Sequence, residues 1–280
     1  MTGIIDVGGG LRGIYGAGVL DRCMDDGVCF DANIGVSAGS ANMAAFLARQ
    51  RGRNYFFYTE YAARPEYMGP RTLAARREYI DLDYVYGTLS NDGGDYPLDY
   101  DALLANPGAL YVVSTNAESG EAVYFTKNDL SRNNYKIFNA SCAIPLACRP
   151  QTVGDGQYYD GGVADPVPVQ KALDLGCDRL VLILTHPLTY NAESKADEVG
   201  ARLLEKTGPA VAEELRLKGM KYRQSVALAM ALQAEGRCLI VAPDDTCGVK
   251  TVTRDRKKLD RLYFKGYHDG RKIAAFLAEA

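Results

Sequence analysis

Histidine is scarce in this sequence of 280 residues, which contains only His186 and His268. A serine nucleophile that depends on a histidine base therefore has just two candidate partners. Long apolar runs are also missing, because LVLIL and VALAMAL fall far short of the ~20 residues that span a bilayer. The first residues, MTGIIDVGGG, have no basic region and no apolar stretch of signal-peptide length. We therefore expect no membrane-spanning helix, and a cytoplasmic protein that can still contact a membrane peripherally.

Neither sign of charge is in excess, since the net charge is −3 and the sequence pI is about 5.6. This balance gives no reason to expect a nucleic-acid partner. Metal-binding spacing is absent too: no Cys-x-x-Cys occurs, and the number of cysteines is odd. We expect reduced and mostly buried thiols, with no disulfide frame and no metal, at the seven cysteine positions 23, 29, 142, 148, 177, 238 and 247.

The first fifty residues predict two strand–turn–helix units. Residues 3–7 are typical of a short buried strand, 8–13 of a glycine-rich turn, and 14–27 of a helix that ends at Gly27. A second strand, CFDANIGVS, is followed by a helix rich in small residues, AGSANMAAFLARQ. Two such units in a row indicate a parallel sheet with crossover helices.

The rest of the chain continues the α/β pattern without an internal repeat or a clear linker. We therefore expect one domain over residues 1–280, with chemical motifs in 3–168 and a C-terminal extension over 190–280. The predicted elements are helices and loops over 51–100, paired strands ALYVVSTNA and EAVYFT, a helix over 134–147 that ends near Pro145, a buried strand DRLVLILT, helices over 192–235, a strand RCLIVAPD and a last helix over 254–279.

The glycine-rich turn has three interpretations. Gly8, Gly10 and Gly13 have the spacing of a dinucleotide-binding loop, but the second strand ends in IGVS without the acidic residue that would hold a ribose. The glycines can also serve only a tight strand–helix turn. In the third interpretation, the amide N–H groups of Gly8, Gly9 and Gly10 converge beside a helix N-terminus and bind an oxyanion.

Ser37 lies in the spacing Gly-x-Ser-x-Gly, between Gly35 and Gly39, at the end of a predicted strand. Small residues follow it, as a nucleophile elbow requires, because the serine there sits in a strained turn. The alternative is a serine that only caps the following helix. Two neighbouring parallel strands would bring this elbow and the glycine turn to the same carboxyl edge of the sheet.

Asp160 is the stronger candidate for the base. It ends a short aromatic strand, and Gly161 and Gly162 after it allow a sharp turn close to another loop. Burial that raises the pKa of this carboxylate would improve it as a base. A simple Asp-Gly-Gly turn and a base at His186, which follows the strand LVLIL, stay open as alternatives, whereas His268 is flanked by charged residues and is predicted to lie on the surface.

Four blocks in this order, DVGGGLRGIYGAGVLD, IGVSAGS, NASCAIPLACRP and YYDGGVADPVP, resemble the patatin-like phospholipase family. The C-terminal part resembles the tail of the bacterial branch of that family. The resemblance implies a three-layer α/β/α fold with a central, mostly parallel sheet. It also implies a nucleophile at Ser37, a base at Asp160, and an oxyanion loop at Gly8, Gly9 and Gly10.

The supporting positions that the resemblance implies are Arg12 in the glycine loop, Ser141 and Pro145 in the Ser-x-x-x-Pro element, and Gly35, Gly39, Gly161 and Gly162. Arg12 would hold the loop in shape or face an anionic head group. The implied activity is that of a serine acyl hydrolase on a lipid ester or phospholipid, which needs no cofactor and no metal. The alternatives are a non-catalytic lipid-binding member of the fold and a dinucleotide-binding oxidoreductase. The segment 51–86, rich in Arg and Tyr, is a candidate for peripheral membrane contact.

Overall fold

A mostly parallel β-sheet lies at the centre of residues 1–279, the part of the chain that this computed structural model describes. Its order is β5-β6-β3-β2-β1-β7-β8, and β4 pairs with β3. The strands are β1 (Thr2–Asp6), β2 (Ala32–Val36), β3 (Ala109–Asn116), β4 (Ala122–Thr126), β5 (Gln151–Val153), β6 (Gly156–Asp160), β7 (Arg179–Ile183) and β8 (Cys238–Val241).

The parallel strands β3, β2, β1, β7 and β8 form one continuous half of the sheet. The pairs β3–β4, β3–β6 and β5–β6 are antiparallel, so the predicted pairing of ALYVVSTNA with EAVYFT is confirmed. The strand that carries Asp160 therefore belongs to the antiparallel part of the sheet. The strand that precedes Ser37 belongs to the parallel part.

Helices cover both faces of the sheet. They are α1 (Ile14–Asp25), α2 (Ala38–Leu47), α3 (Arg53–Thr59), α4 (Pro70–Arg76), α5 (Tyr100–Ala105), α6 (Lys136–Cys142), α7 (Val169–Asp174), α8 (Lys195–Leu204), α9 (Pro209–Ala234), α10 (Arg256–Asp269) and α11 (Lys272–Ala278).

Successive strand residues enter two separate cores, which explains why consecutive apolar residues occur at the centre of β1 (Ile4 and Ile5) and along β7 (residues 180–183). Ile4 packs in the core with α1, α2 and α10, whereas Ile5 packs in the core with α7 and α9. Along β7, Val181 belongs to the first core and Leu182 to the second. The result is the expected three-layer α/β/α arrangement.

Two helix predictions need correction. The segment 134–147 is helical only over α6, because Pro145 disfavours a helical conformation in the residue before it and Ala143 has already left the helix at φ −76° and ψ 78°. The last helix is two helices, α10 and α11, separated at Gly270, and glycine is a weak helix former.

Five of the seven cysteine side chains are buried, Cys29 is exposed, and all seven are free thiols. Within residues 1–279, no helix combines the length and the hydropathy that crossing a bilayer requires. Over the same residues, no group of three or more His, Cys, Asp or Glu side chains has a metal-binding arrangement.

Candidate active site

The sheet register brings Ser37 and Asp160 together. Val36, the last residue of β2, pairs with Val113 of β3, and Asp160, the last residue of β6, pairs with the next β3 residue, Ser114. The two chains therefore leave the sheet beside each other. The Ser37 hydroxyl donates a hydrogen bond of 2.6 Å to Oδ2 of Asp160.

Ser37 has the backbone strain of a nucleophile elbow, with φ 54° and ψ −131°. Its amide N–H donates to the hydroxyl of Ser141, and its carbonyl accepts from the hydroxyl of Ser40. The turn also needs glycine on both sides: a Cβ on Gly35 would lie 2.4 Å from the Cα of Ser40, and a Cβ on Gly39 would lie 2.1 Å from the carbonyl oxygen of Asp6. No hydrogen bond runs from the Ser37 hydroxyl to α2, so its side chain does not cap that helix.

Asp160 is 7% exposed, and burial raises the pKa of its carboxyl, against the opposing effect of the hydrogen bond from Ser37. Its Oδ1 accepts 2.8 Å from the amide N–H of Gly162, so both carboxylate oxygens are held. Gly161 has no room for a side chain, because a Cβ there would lie 2.1 Å from the carbonyl oxygen of Val113. The Asp-Gly-Gly sequence thus places the Asp160 carboxylate within hydrogen-bond distance of the Ser37 hydroxyl.

The glycine loop lies at the same edge of the sheet. Gly8, Gly9 and Gly10 all have positive φ, at 62°, 114° and 60°. A Cβ on Gly8 would lie 2.3 Å from the carbonyl oxygen of Val36, so the loop passes directly against the elbow. Over residues 1–279, the amide N–H groups of Gly9 and Gly10 have no protein acceptor. They are thus available to a ligand. The expectation that Gly8 also supplies a free donor is wrong, because its N–H donates to Oδ1 of Asp6.

Asp6 binds the backbone of this loop, a role that the sequence analysis does not predict. The side chain is fully buried; Oδ1 accepts from the amide N–H of Gly8 at 2.9 Å and Oδ2 from the side-chain amide of Asn42 at 2.8 Å. Burial raises its pKa to about 6. Asp6 therefore links the glycine loop to α2, the helix that follows Ser37. The only sequence signal was a carboxylate in an otherwise apolar strand.

Arg12 projects from the loop toward Thr251, whose hydroxyl accepts from Nη1 at 2.9 Å. Its Nε is buried without an acceptor, and no carboxylate of residues 1–279 forms an ion pair with it. Burial lowers the pKa of Arg12. A desolvated cation without a counterion favours an anionic ligand.

One cavity of about 750 Å³ joins these groups. Its apolar part includes Leu73, Pro145, Leu146, Val163 and Leu215, and its polar part includes Arg12, His186, Tyr190, Lys218 and Tyr222. The walls come from Gly8, Gly9, Gly10, Ser37, Asp160 and Gly162 on the sheet side. The cavity is therefore large enough and apolar enough for a lipid-sized ligand.

His186 lines this cavity but forms no hydrogen bond with Ser37. Its ring stacks on Tyr190 at 3.8 Å between centroids, and burial, together with Arg12, lowers its pKa to about 4. His268 is exposed on α10. The Ser37 hydroxyl thus has Asp160, and neither histidine, as its hydrogen-bond acceptor.

Residues 7–173 match the family described as patatin-like phospholipase, and residues 208–279 match a domain of unknown function, DUF6363. The first match covers more than half of the chain, and the chain therefore belongs to the patatin-like phospholipase family. The description of that family refers to phospholipases, which hydrolyse lipid esters.

The chain is similar to YjjU, an uncharacterized protein of Escherichia coli (strain K12), with 33% identity over 185 residues, which are 64% of this chain and 50% of YjjU. It thus spans half the length of this curated relative. Among solved structures, it is similar to VipD from Legionella pneumophila, with a TM-score of 0.50, 13% identity, and coverage of 97% of this chain and 66% of VipD. This last likeness concerns the fold, and it agrees with the three-layer arrangement.

Proposed function

We propose that the protein is a serine acyl hydrolase that cleaves carboxylic esters of lipids through Ser37 and Asp160. The observation that carries the proposal is the 2.6 Å hydrogen bond between these two side chains in the wall of a large, mostly apolar cavity. The glycine loop beside them supports the same chemistry. Neither a metal nor a cofactor enters the reaction.

In the first half of the reaction, the Ser37 oxygen attacks the ester carbonyl carbon while its proton passes to Asp160. The negative charge on the former carbonyl oxygen is stabilised by the amide N–H groups of Gly9 and Gly10, and such a donor typically contributes ~10²–10³ in rate. The tetrahedral intermediate then expels the alcohol, which takes the proton from Asp160. The acyl group stays on Ser37.

In the second half, a water molecule gives a proton to Asp160 and attacks the acyl carbonyl carbon. The intermediate expels the Ser37 oxygen, which recovers the proton, and the fatty acid leaves. An aspartate is a weak base at its ordinary pKa of ~3.9. Its burial makes it a stronger base and so supports this role for Asp160.

Arg12 supports a phospholipid among the candidate lipid esters. Its half-buried guanidinium faces the same cavity as Ser37 without a carboxylate partner, and the hydroxyl-bearing side chains of Tyr190 and Tyr222 line that cavity too. A phosphate of the head group would supply the missing counterion. In this orientation the acyl ester lies at Ser37 and the phosphate at Arg12.

The mouth of the cavity supports peripheral contact with a membrane. Leu73 and Leu146 line the cavity, yet they are 50% and 55% exposed. Arg71, Arg77 and Arg149 are exposed close by in sequence. Exposed leucines beside arginines suit an interface between acyl chains and phosphates. A cytoplasmic location with such contact belongs to the same proposal.

A single domain over residues 1–280 is also part of the proposal. Helix α10 packs so closely on α1 that a Cβ on Gly18 would lie 2.2 Å from the carbonyl oxygen of Tyr263. Thr251, from the same C-terminal part, binds Arg12. The C-terminal extension therefore contributes to the site rather than standing apart from it.

Hydrolysis of a short and a long p-nitrophenyl ester by the wild type, Ser37→Ala and Asp160→Asn tests the proposal. We expect both variants to lose at least ~10³-fold in kcat/KM. The exposed residues Ser119 and Asp155 provide matched controls, Ser119→Ala and Asp155→Asn, which retain activity. Wild-type activity that survives Asp160→Asn would overturn the base assignment, and an inactive wild type would favour a binding role.

A further inference from the structure

A second, narrower cavity also reaches Ser37. It encloses about 60 Å³ and shares Gly10, Ser37, Ile144 and Thr251 with the large cavity, so the two meet at the proposed nucleophile. Its walls are mainly apolar or aromatic and include Leu11, Phe57, Met68, Leu82 and Val85. We call it the inner crevice. Since a single water needs ~10–15 Å³ in this measure, the inner crevice admits only a few heavy atoms.

One wall of the inner crevice is a buried cation. Arg53 lies at the start of α3 and is 4% exposed. Its Nη2 donates to the hydroxyl of Ser90 at 2.9 Å and to the carbonyl oxygen of Tyr96 at 3.1 Å. Its Nε is sealed from solvent and has no acceptor. No ion pair joins Arg53 to a carboxylate anywhere in residues 1–279.

The surroundings of Arg53 only partly compensate for its burial. The guanidinium carbon lies 4.2 Å from the ring centroid of Phe57 and 5.7 Å from that of Tyr96. Burial lowers the pKa of Arg53 to about 10, still high enough for a full positive charge at neutral pH. Cation–π contacts offset part of the free energy that the guanidinium loses on dehydration. A buried charge, however, ordinarily has an opposite charge beside it.

An acyl subsite for a plain hydrocarbon chain does not need such a cation, because apolar walls alone would bind it. A nearby arginine shows the contrast: Arg64 also stacks on an aromatic ring, at 4.5 Å from Tyr61, but it is paired with Asp95 at 2.6 Å. Arg53 thus stacks on an aromatic ring but has no carboxylate partner, and it lines a crevice that also reaches Ser37.

We propose that the inner crevice is an acyl subsite for short chains whose far end carries a carboxylate, which pairs with Arg53. The preferred substrates would then be half-esters of short dicarboxylic acids, with the alcohol part in the large cavity. The chemical step is the ester cleavage described above. This inference rests on the proposed hydrolase function, which it deepens by naming the acyl group.

Monoethyl succinate, glutarate and adipate, each compared with the ethyl ester of the unbranched acid of equal length, test the proposal through the ethanol released. At one length or more, we expect the carboxylate-ended ester to have a kcat/KM at least ten times that of the neutral ester. Arg53→Met should remove this preference, whereas Arg64→Met should keep it. A wild type that favours the neutral ester at every length would overturn the proposal.

A binding experiment separates failure of this subsite from failure of the hydrolase function. Calorimetric titration of Ser37→Ala with monoethyl glutarate and with ethyl pentanoate, which have acyl chains of equal length, needs no turnover. We expect monoethyl glutarate to bind at least ten times more tightly, and Arg53→Met in the Ser37→Ala background to abolish the difference. Equal affinities would overturn the subsite even if esters are hydrolysed. Selective binding of monoethyl glutarate by Ser37→Ala, with no ester hydrolysis by the wild type, would support the subsite and remove the hydrolase proposal. Should Arg53→Met not fold, the two comparisons made with Arg53 intact, hydrolysis by the wild type and binding by Ser37→Ala, decide.

Discussion

Oγ of Ser37 lies 2.6 Å from Oδ2 of Asp160, although the two residues are 123 positions apart in the chain. The contact follows from sheet register, because Val36 and Asp160 pair with consecutive residues of β3, Val113 and Ser114. The geometry is thus fixed by backbone hydrogen bonds rather than by a flexible loop. A site built on strand ends is held rigidly, which suits a reaction that depends on one short hydrogen bond.

The proposed base predicts how activity depends on pH. Burial raises the pKa of Asp160, and a base must be deprotonated to act. We therefore expect kcat/KM to be low in acid and to rise to a plateau as the pH increases through this raised pKa. A pH profile of ethyl butyrate hydrolysis would measure it. In His186→Gln, kcat/KM should still fall in acid as it does in the wild type. Loss of this fall in the variant would favour His186 as the base.

Asp6 is predicted to be a positioning residue for the oxyanion loop. In Asp6→Ala, Gly8 loses its acceptor and the loop loses its link to Asn42. We expect kcat to fall by at least about tenfold with a smaller change in KM, since the donors act on the transition state. The matched control is Asp21→Asn, a buried carboxylate of α1 that binds Tyr263 instead. An equal loss of kcat in the control would refute the role of Asp6.

Asp6 also predicts a pH dependence of stability. Its pKa is about 6 in the folded protein, above the ordinary value of 3.8, so the folded state binds this proton more tightly than the unfolded state does. The stabilising contribution of this proton is complete below the ordinary pKa and is lost as the pH rises through about 6. The free energy of unfolding of Asp6→Asn, relative to wild type, should hence be more favourable at pH 8 than at pH 5. Urea unfolding at both pH values would measure it, and a pH-independent difference would contradict the prediction.

Ser141→Ala should weaken the elbow. The Ser141 hydroxyl accepts from the amide N–H of Ser37 at 2.9 Å and donates to the carbonyl oxygen of Val113 at 2.6 Å, so its removal leaves two buried backbone groups unpaired. We expect a loss of about 1–3 kcal/mol in the free energy of unfolding and a lower kcat. Ser114→Ala is the control, because that buried hydroxyl has no hydrogen-bond partner and its loss should be nearly neutral. Similar effects of the two substitutions would argue against the bracing role.

Gly161→Ala tests the close approach that aims Asp160. A Cβ at this position would lie 2.1 Å from the carbonyl oxygen of Val113, so the strand pairing must shift. We expect at least about 2 kcal/mol of destabilisation in thermal or urea unfolding. Gly87→Ala is a fair comparison, because a Cβ there meets nothing within 4 Å and φ lies outside the left-handed region. It should change stability by no more than about 0.5 kcal/mol.

Arg12→Gln tests the head-group assignment. We expect kcat/KM for a phospholipid in mixed micelles to fall by about tenfold or more, since a charged hydrogen bond is lost. Hydrolysis of a neutral short ester should fall much less, and Arg12→Lys should restore part of the phospholipid activity. Equal losses on both substrates would instead assign Arg12 to the shape of the loop.

Sequence patterns predicted the elements best where burial alone decides them. The consecutive apolar residues of β1 and β7 and the small residues after Ser37 were sufficient for an α/β fold with a strand–serine–helix turn. The helix over 134–147 was predicted too long, and the break at Gly270 was missed. In both places a local backbone preference competes with a weak periodic pattern, and the pattern alone does not determine where the helix ends.

The sequence by itself determined the family, through four short motifs in a fixed order, and with it the three-layer fold and the candidates Ser37 and Asp160. It did so because elbows and glycine loops demand particular small residues at particular spacings. Only the tertiary structure decided that Asp6 supports the loop, that His186 stands apart from Ser37, and that Arg53 is buried in a crevice beside it. Those relationships depend on which distant segments pack together and on how much hydration each charged group loses in that packing. The spacing of residues along the sequence predicts neither.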